Sequence, residues 1–295
     1  MNSSTIALAS QFNLVQTYLT RYFMVPIYIF GNLGNLLNII LFSQRNLRLN
    51  NVCAWYFIGL SLVNLLIIDT GGLSRSLPFL TSFNLETTSI IFCKCRLYFV
   101  HFSLILGRYF ICLISIDRWM VTSFSQSIRQ MSSPKFSRYL IIVGTCIGVI
   151  FSIHAPIGFE IKNNRCYAYL NTSYGAFFSF YNVLSILIPI IIMMLFSAFI
   201  ISNIHQRHRR TQPRLRGLRN SQEAPVRATQ HIDVHLIRLV LTQSLTFVLL
   251  NISFVAYAVY DFATSWEQKG PDRQVIEAFI YAMAIHPIYI FCSVR

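Results

Sequence analysis

Apolar runs, each closed by a short polar or charged stretch, recur seven times along this chain. Each is close to the roughly 20 helical residues needed to cross a hydrocarbon layer about 30 Å thick. The pattern predicts helices over about 22–43, 53–74, 92–119, 139–159, 175–203, 234–262 and 274–293. The first follows Arg21 and closes at Gln44, and the second begins after QRNLRLNN. The third runs from CKC to DRW, and the fourth ends near Pro156. Pro189 falls inside the fifth and Pro287 inside the seventh, where neighbouring helices re-satisfy the freed carbonyls and the proline marks a kink.

Composition agrees with the pattern. Of 295 residues, 55% are hydrophobic and only 12% charged, with a mean hydropathy of +0.54. A soluble chain of this length needs far more surface charge. The fold class is an all-α membrane protein, a seven-transmembrane helix bundle.

Net charge is +14, which in a soluble protein would point to nucleic acid. In a membrane protein, Lys and Arg instead gather in short cytoplasmic loops. With the N-terminus outside, the inner side holds fifteen basic residues and the outer side eight, Arg108 lying within a span. The asymmetry places the N-terminus outside and the C-terminus in the cytoplasm. Residues 1–21 are then an extracellular segment; being polar, they are no cleavable leader. Asn2 and Asn171 head glycosylation sequons on that same side, whereas Asn251-Ile252-Ser253 sits within a span and is set aside. Residues 204–233 form a basic cytoplasmic loop, read as a solvated segment near anionic lipid headgroups. No folded nucleic-acid module accompanies its arginines.

Seven cysteines include no CxxC pair, so no zinc site is expected. Cys166 lies in an outer loop, and an oxidising exterior would let it bridge Cys93 or Cys95 at the start of the third segment. Cys93 and Arg118 are 25 residues apart, a helical rise of about 37 Å. That distance puts Asp117 and Arg118 at the inner surface.

The third segment, with a cysteine at its start and IDRW at its end, resembles the rhodopsin-like class of G-protein-coupled receptors. GNLGN (31–35), LSLVNLL (60–66) and Pro189 fall in the same order along the chain. ISIDRW and LTQSLTFVLL are similar in flavour to invertebrate orphan and neuropeptide-type receptors. The resemblance implies a disulfide between Cys93 and Cys166 and a helix 1 asparagine at Asn35. It implies that Arg118 contacts a heterotrimeric G protein when helix 6 swings away, with Asp117 pairing it at rest. A neighbouring carboxylate lowers the cost of keeping a guanidinium at a low-dielectric boundary. The departures are specific. Asn64 replaces the aspartate used for sodium, and helix 4 lacks the family tryptophan. LLNISF replaces CWxP, Ser197 stands where helix 5 often has tyrosine, and His286-Pro287 stands for NPxxY with Ile290 at its tyrosine position. The chain ends at Arg295, where the family continues into an eighth helix.

Arg108 lies ten residues from Arg118, about 15 Å inside. Depth arithmetic suggests a polar layer of Asn35, Asn64, Arg108, Gln243 and His286, acting as interhelical glue, as a switch, or as both. Upper-bundle pocket candidates are Asp69, Tyr98, His101 and Phe102 with Phe178, Tyr181, Asn182, Tyr257, Tyr260 and Tyr281. No acidic residue stands in the outer half of helix 3, which disfavours a monoamine. Arg75, Arg96, Lys162 and Arg165 would suit an acidic peptide. The expected protein is a multi-pass plasma-membrane receptor. Its partners are an extracellular ligand, a peptide being favoured, a G protein and membrane lipid. No cofactor, metal or catalytic set is expected, so it is not an enzyme. The rivals are a receptor that folds but signals weakly, and a small transporter, against which no internal repeat appears.

Overall fold

The computed structural model describes residues 3–50, 52–81, 85–162, 165–167, 172–211 and 224–294. Asn2, Asn171 and stretch 212–223 of the basic loop lie outside the described residues.

Seven long helices are apolar enough to cross a membrane. The first, α1, is continuous from Ser3–Leu19 through a π-turn at Thr20–Met24 into Val25–Ser43. It therefore covers most of the polar stretch ahead of the first apolar run. Thr5 donates to Asp272, and Phe12 stacks on Phe279 at 4.2 Å, so the added turns lie against the last helix. The second, α2, joins Cys53–Ile67, a π-turn at Ile68–Leu73, and Ser74–Leu80. The others are α3 (Ile90–Thr122), α4 (Pro134–Ser152, with a final turn His154–Gly158), α5 (Ser173–Thr211), α6 (Ala224–Ala263) and α7 (Pro271–Ser293). Ser89 and Ser133 cap α3 and α4 by accepting from the amides of Phe92 and Phe136.

The third helix is the pillar. It packs against α2, α4 and α5, and more lightly against α6, while α7 closes on α1, α2 and α6. Large apolar side chains such as Leu33, Leu37, Ile40, Ile191 and Leu249 stay exposed on the outside. That inversion suits a bundle whose solvent is lipid.

Small residues set the closest approaches. A Cβ on Gly31 would collide with the side chain and Cα of Ser293, so α1 and α7 approach closely there. At the π-turn, a Cβ on Gly71 or Gly72 would press on the rings of Tyr289 or Tyr28 at 3.0 and 2.9 Å. Those two rings meet edge-on, 6.0 Å apart.

Two short strands, β1 (Glu160–Lys162) and β2 (Arg165–Tyr167), pair antiparallel with Ile161 opposite Cys166. Cys166 is bonded to Cys93, whereas Cys95 is free and exposed. The hairpin is thereby held over the start of α3. The two ends of the bundle are called below the disulfide end and the Arg118 end.

Opening this covalent tie should lower stability more than any other cysteine change. Cys166→Ser is expected to cost about 2–5 kcal/mol in thermal unfolding of the purified protein, with Cys95→Ser near neutral. Equal losses from both would contradict the assignment.

Candidate functional site

At the Arg118 end, Asp117 and Arg118 are almost wholly buried, at 0% and 2% exposure. The Arg118 Nε and Nη2 donate to Asp117 Oδ2 at 3.1 and 2.5 Å. The other carboxylate oxygen accepts from the Ser132 hydroxyl at 2.6 Å, from the turn joining α3 to α4. A carboxylate so placed neutralises the guanidinium and fixes its orientation, which is what a buried pair requires. Trp119 packs on Phe196 of α5 at 5.2 Å, and Asn203 of α5 reaches Thr122 at 3.5 Å. The end of α5 is thus pinned beside the pair.

In the middle, the expected polar layer is only partly assembled. Asn64 donates to Asn35 at 3.1 Å, and Asn35 donates to the carbonyls of Gly31 and Cys292 at 2.8 and 2.9 Å. One amide pair therefore ties α1, α2 and α7. Arg108 shares with Asn64 a cavity of ≈ 20 Å³, also lined by Asn251 and Cys292. Its hydrogen bond goes to Ser185 of α5 at 2.8 Å. Gln243 is buried about one turn from the cavity-lining Phe247, toward the Arg118 end, and does not line the cavity. His286 does not line it either. It turns its Nδ1 to the carbonyl of Ala282, nearer the disulfide end. Since Cys292 is level with Asn35, Pro287 sits about 7–8 Å toward the disulfide end from that rung. Counting residues along a helix gives height and not the direction a side chain faces, so it could not show which of these groups meet in one cavity. Ser185 and Asn251 were missed. The available signal for Asn251 was a lone amide amid apolar neighbours.

At the disulfide end the ten pocket candidates divide. His101 joins Phe178 and Tyr181 at 5.4 and 5.9 Å, with His154 and Phe159 of the α4 end at 5.3 and 5.9 Å. His154 is oriented by the Tyr174 hydroxyl, 3.0 Å from its Nδ1. Asn182 is half-buried on the same helix, its carbonyl accepting from Ser185. Tyr98 and Phe102 stack on each other at 6.4 Å, with Phe102 against Gly148 of α4. Tyr257 and Tyr281 form a second group 5.4 Å apart, with the Arg75 guanidinium 5.1 Å over Tyr281. Asp69 is excluded from either group: it is exposed and accepts from Asn32 of α1 at 3.0 Å.

Tyr260 belongs to an ion network that sequence reasoning did not find. Its hydroxyl donates to Glu277 at 2.6 Å, and Arg273 reaches Glu277 and Glu267 at 2.9 and 2.7 Å. Lys269 Nζ stands 2.8 Å from Glu277 and 3.9 Å from Asp261, an ion pair with each, while Ser179 of α5 donates to Asp261 at 2.6 Å. The charges of one loop and two helix ends thus clamp α5, α6 and α7. Arg96 is likewise absorbed. It is buried and donates to Ser74 Oγ at 2.6 Å and to the Thr70 carbonyl at 3.1 Å, a carbonyl that also accepts from the Ser74 hydroxyl. That removes Arg96 from the basic residues expected at the mouth. The side chains of Lys162 and Arg165 lie outside those described.

Seven packed apolar helices, a disulfide-held hairpin at one end and a buried acid–arginine pair at the other define a multi-pass membrane protein of the receptor class. Residues 34–291 match the family described as 7 transmembrane receptor (rhodopsin family). The chain belongs to that family, whose members are receptors and not enzymes. No curated protein matches it.

Asp117→Ala would leave the Arg118 charge buried without its carboxylate. The expected loss is about 3–5 kcal/mol by thermal unfolding, against a much smaller loss for Ser132→Ala. A neutral Asp117→Ala would show that the pair bears no structural load.

Proposed function

We propose that this protein sits in the plasma membrane with its disulfide end outside and converts binding of an extracellular ligand into activation of a heterotrimeric G protein. The observation that carries the reading is the Asp117–Arg118 pair, buried at the end opposite the disulfide and capped by Ser132. A guanidinium held by an adjacent acid is a two-state element: moving the carboxylate releases the guanidinium from its acid and lets it turn to another partner. Family membership supports the same roles, and the excess of basic residues on the Arg118 side supports the orientation.

A peptide is the favoured ligand class. Aromatic side chains from α3, α4 and α5 and from α6 and α7 offer apolar contact area at the disulfide end, with Arg75 over Tyr281 as a positive contact. The outer half of α3 carries Lys94 and Arg96 and no acid, so an amine ligand lacks an anchor there. With Asp69 facing α1, that argument extends to α2.

The direct test is nucleotide exchange on purified G proteins, with the receptor in lipid nanodiscs and a library of acidic and neutral peptides as ligands. At least one peptide should raise exchange at least tenfold over the unstimulated rate, and Arg118→Ala should abolish that rise while leaving peptide binding intact. Exchange equally strong with Arg118→Ala would refute the role of the pair, and solute flux in vesicles without exchange would favour a transporter.

A further inference from the structure

Three features outside the Asp117–Arg118 pair meet at one place. Arg108 is 8% exposed, and among the described residues its guanidinium has one hydrogen-bond partner, Ser185. Guanidinium carries five N–H donors and keeps its charge, so most of its donors remain to be used. Across the bundle on α6, Asn251 is 1% exposed. Its Nδ2 donates to the Phe247 carbonyl at 2.8 Å, but its Oδ1 is buried with no partner among the described residues. Leaving such an acceptor unmet is costly. Both residues line the same ≈ 20 Å³ cavity, whose other walls are apolar apart from Asn64, Gly107 and Cys292.

That volume admits about one water and little else. The chemistry of the walls selects among small occupants. A halide would suit Arg108 but would face the Asn251 oxygen. An alkali cation would suit the oxygen but would face the guanidinium. Water alone accepts from one and donates to the other.

We propose that this cavity is a binding site for a single water molecule that accepts from Arg108 and donates to Asn251 Oδ1, latching α6 to α3. Ser185 holds the other side of the same guanidinium, so Arg108 ties α3 to α5 directly and to α6 through the water. The latch is a property of the folded bundle and stands or falls independently of the proposed signalling.

The test is thermal unfolding in detergent of four chains: the unaltered protein, Asn251→Asp, Arg108→Gln, and both together. A carboxylate at position 251 gives the guanidinium a charged partner across the cavity. Asn251→Asp should therefore raise Tm by about 2–4 °C when Arg108 is present and lower it when residue 108 is Gln. Equal shifts in the two backgrounds would overturn the latch. If Asn251→Asp does not fold, Asn251→Leu serves in the same cycle. Its loss should shrink in the Arg108→Gln background, and strictly additive losses would overturn the proposal. Replacing chloride by gluconate, or sodium by N-methylglucamine, should leave Tm unchanged. An ion-dependent Tm that Asn251→Leu abolishes would assign the cavity to that ion and reject the water.

Discussion

A charge inside an apolar bundle is tolerated only when another group meets it, and α3 carries three arginines into the interior. Each partner comes from a different place. Arg118 is met by its own neighbour Asp117, with Ser132 beyond it. Arg108 is met by Ser185 of α5. Arg96 is met by the Ser74 hydroxyl and the Thr70 carbonyl at the π-turn of α2. The placement of α2, α5 and the α3–α4 turn around α3 follows from those needs as much as from apolar packing, because lipid outside the bundle is no worse a neighbour for Leu or Ile than another helix.

The partners differ in kind, from a covalent tie at one end to a single buried ion pair at the other. The disulfide end is fixed by a covalent tie, a hairpin and the Asp261–Lys269–Glu277–Arg273 network, which joins three helices through several charges at once. At the Arg118 end, the buried guanidinium is neutralised by the Asp117 carboxylate, whose other oxygen accepts from Ser132. Between them, Asn35 and Asn64 bind α1, α2 and α7 into one unit, while Arg108 of α3 and Asn251 of α6 line one cavity. The arrangement suits a body that is rigid at one end and bistable at the other.

The seven helices were legible in the sequence because apolar run length reports bilayer crossing directly. The Asp117–Arg118 pair was legible because two charges closing a long apolar helix leave few explanations. Helix ends were less so. Residues 3–19 carry polar groups and yet continue α1, since Thr5 and Phe12 find Asp272 and Phe279 on a helix far away in sequence. The mid-bundle layer was half legible: Asn35, Asn64 and Arg108 were named, but rise per residue gives depth and not direction. His286 and Gln243 had suitable depth on paper and lie off the cavity, while Asn251, set aside as a spurious sequon, lines it. Asp69 illustrates the same limit. Its charge made it attractive for a ligand, but the π-turn rotates it toward α1 and Asn32.

The central claim is that the bundle is rigid around α3 and moves at the Arg118 end. Its most direct test is a distance measurement between spin labels on noncanonical residues at Tyr139 of α4 and Leu239 of α6, both exposed. Adding nucleotide-free G protein should lengthen that distance by several ångströms, while a pair at Ile157 and Val259 near the disulfide end stays constant. An unchanged Tyr139–Leu239 distance, or equal changes at both ends, would contradict the account.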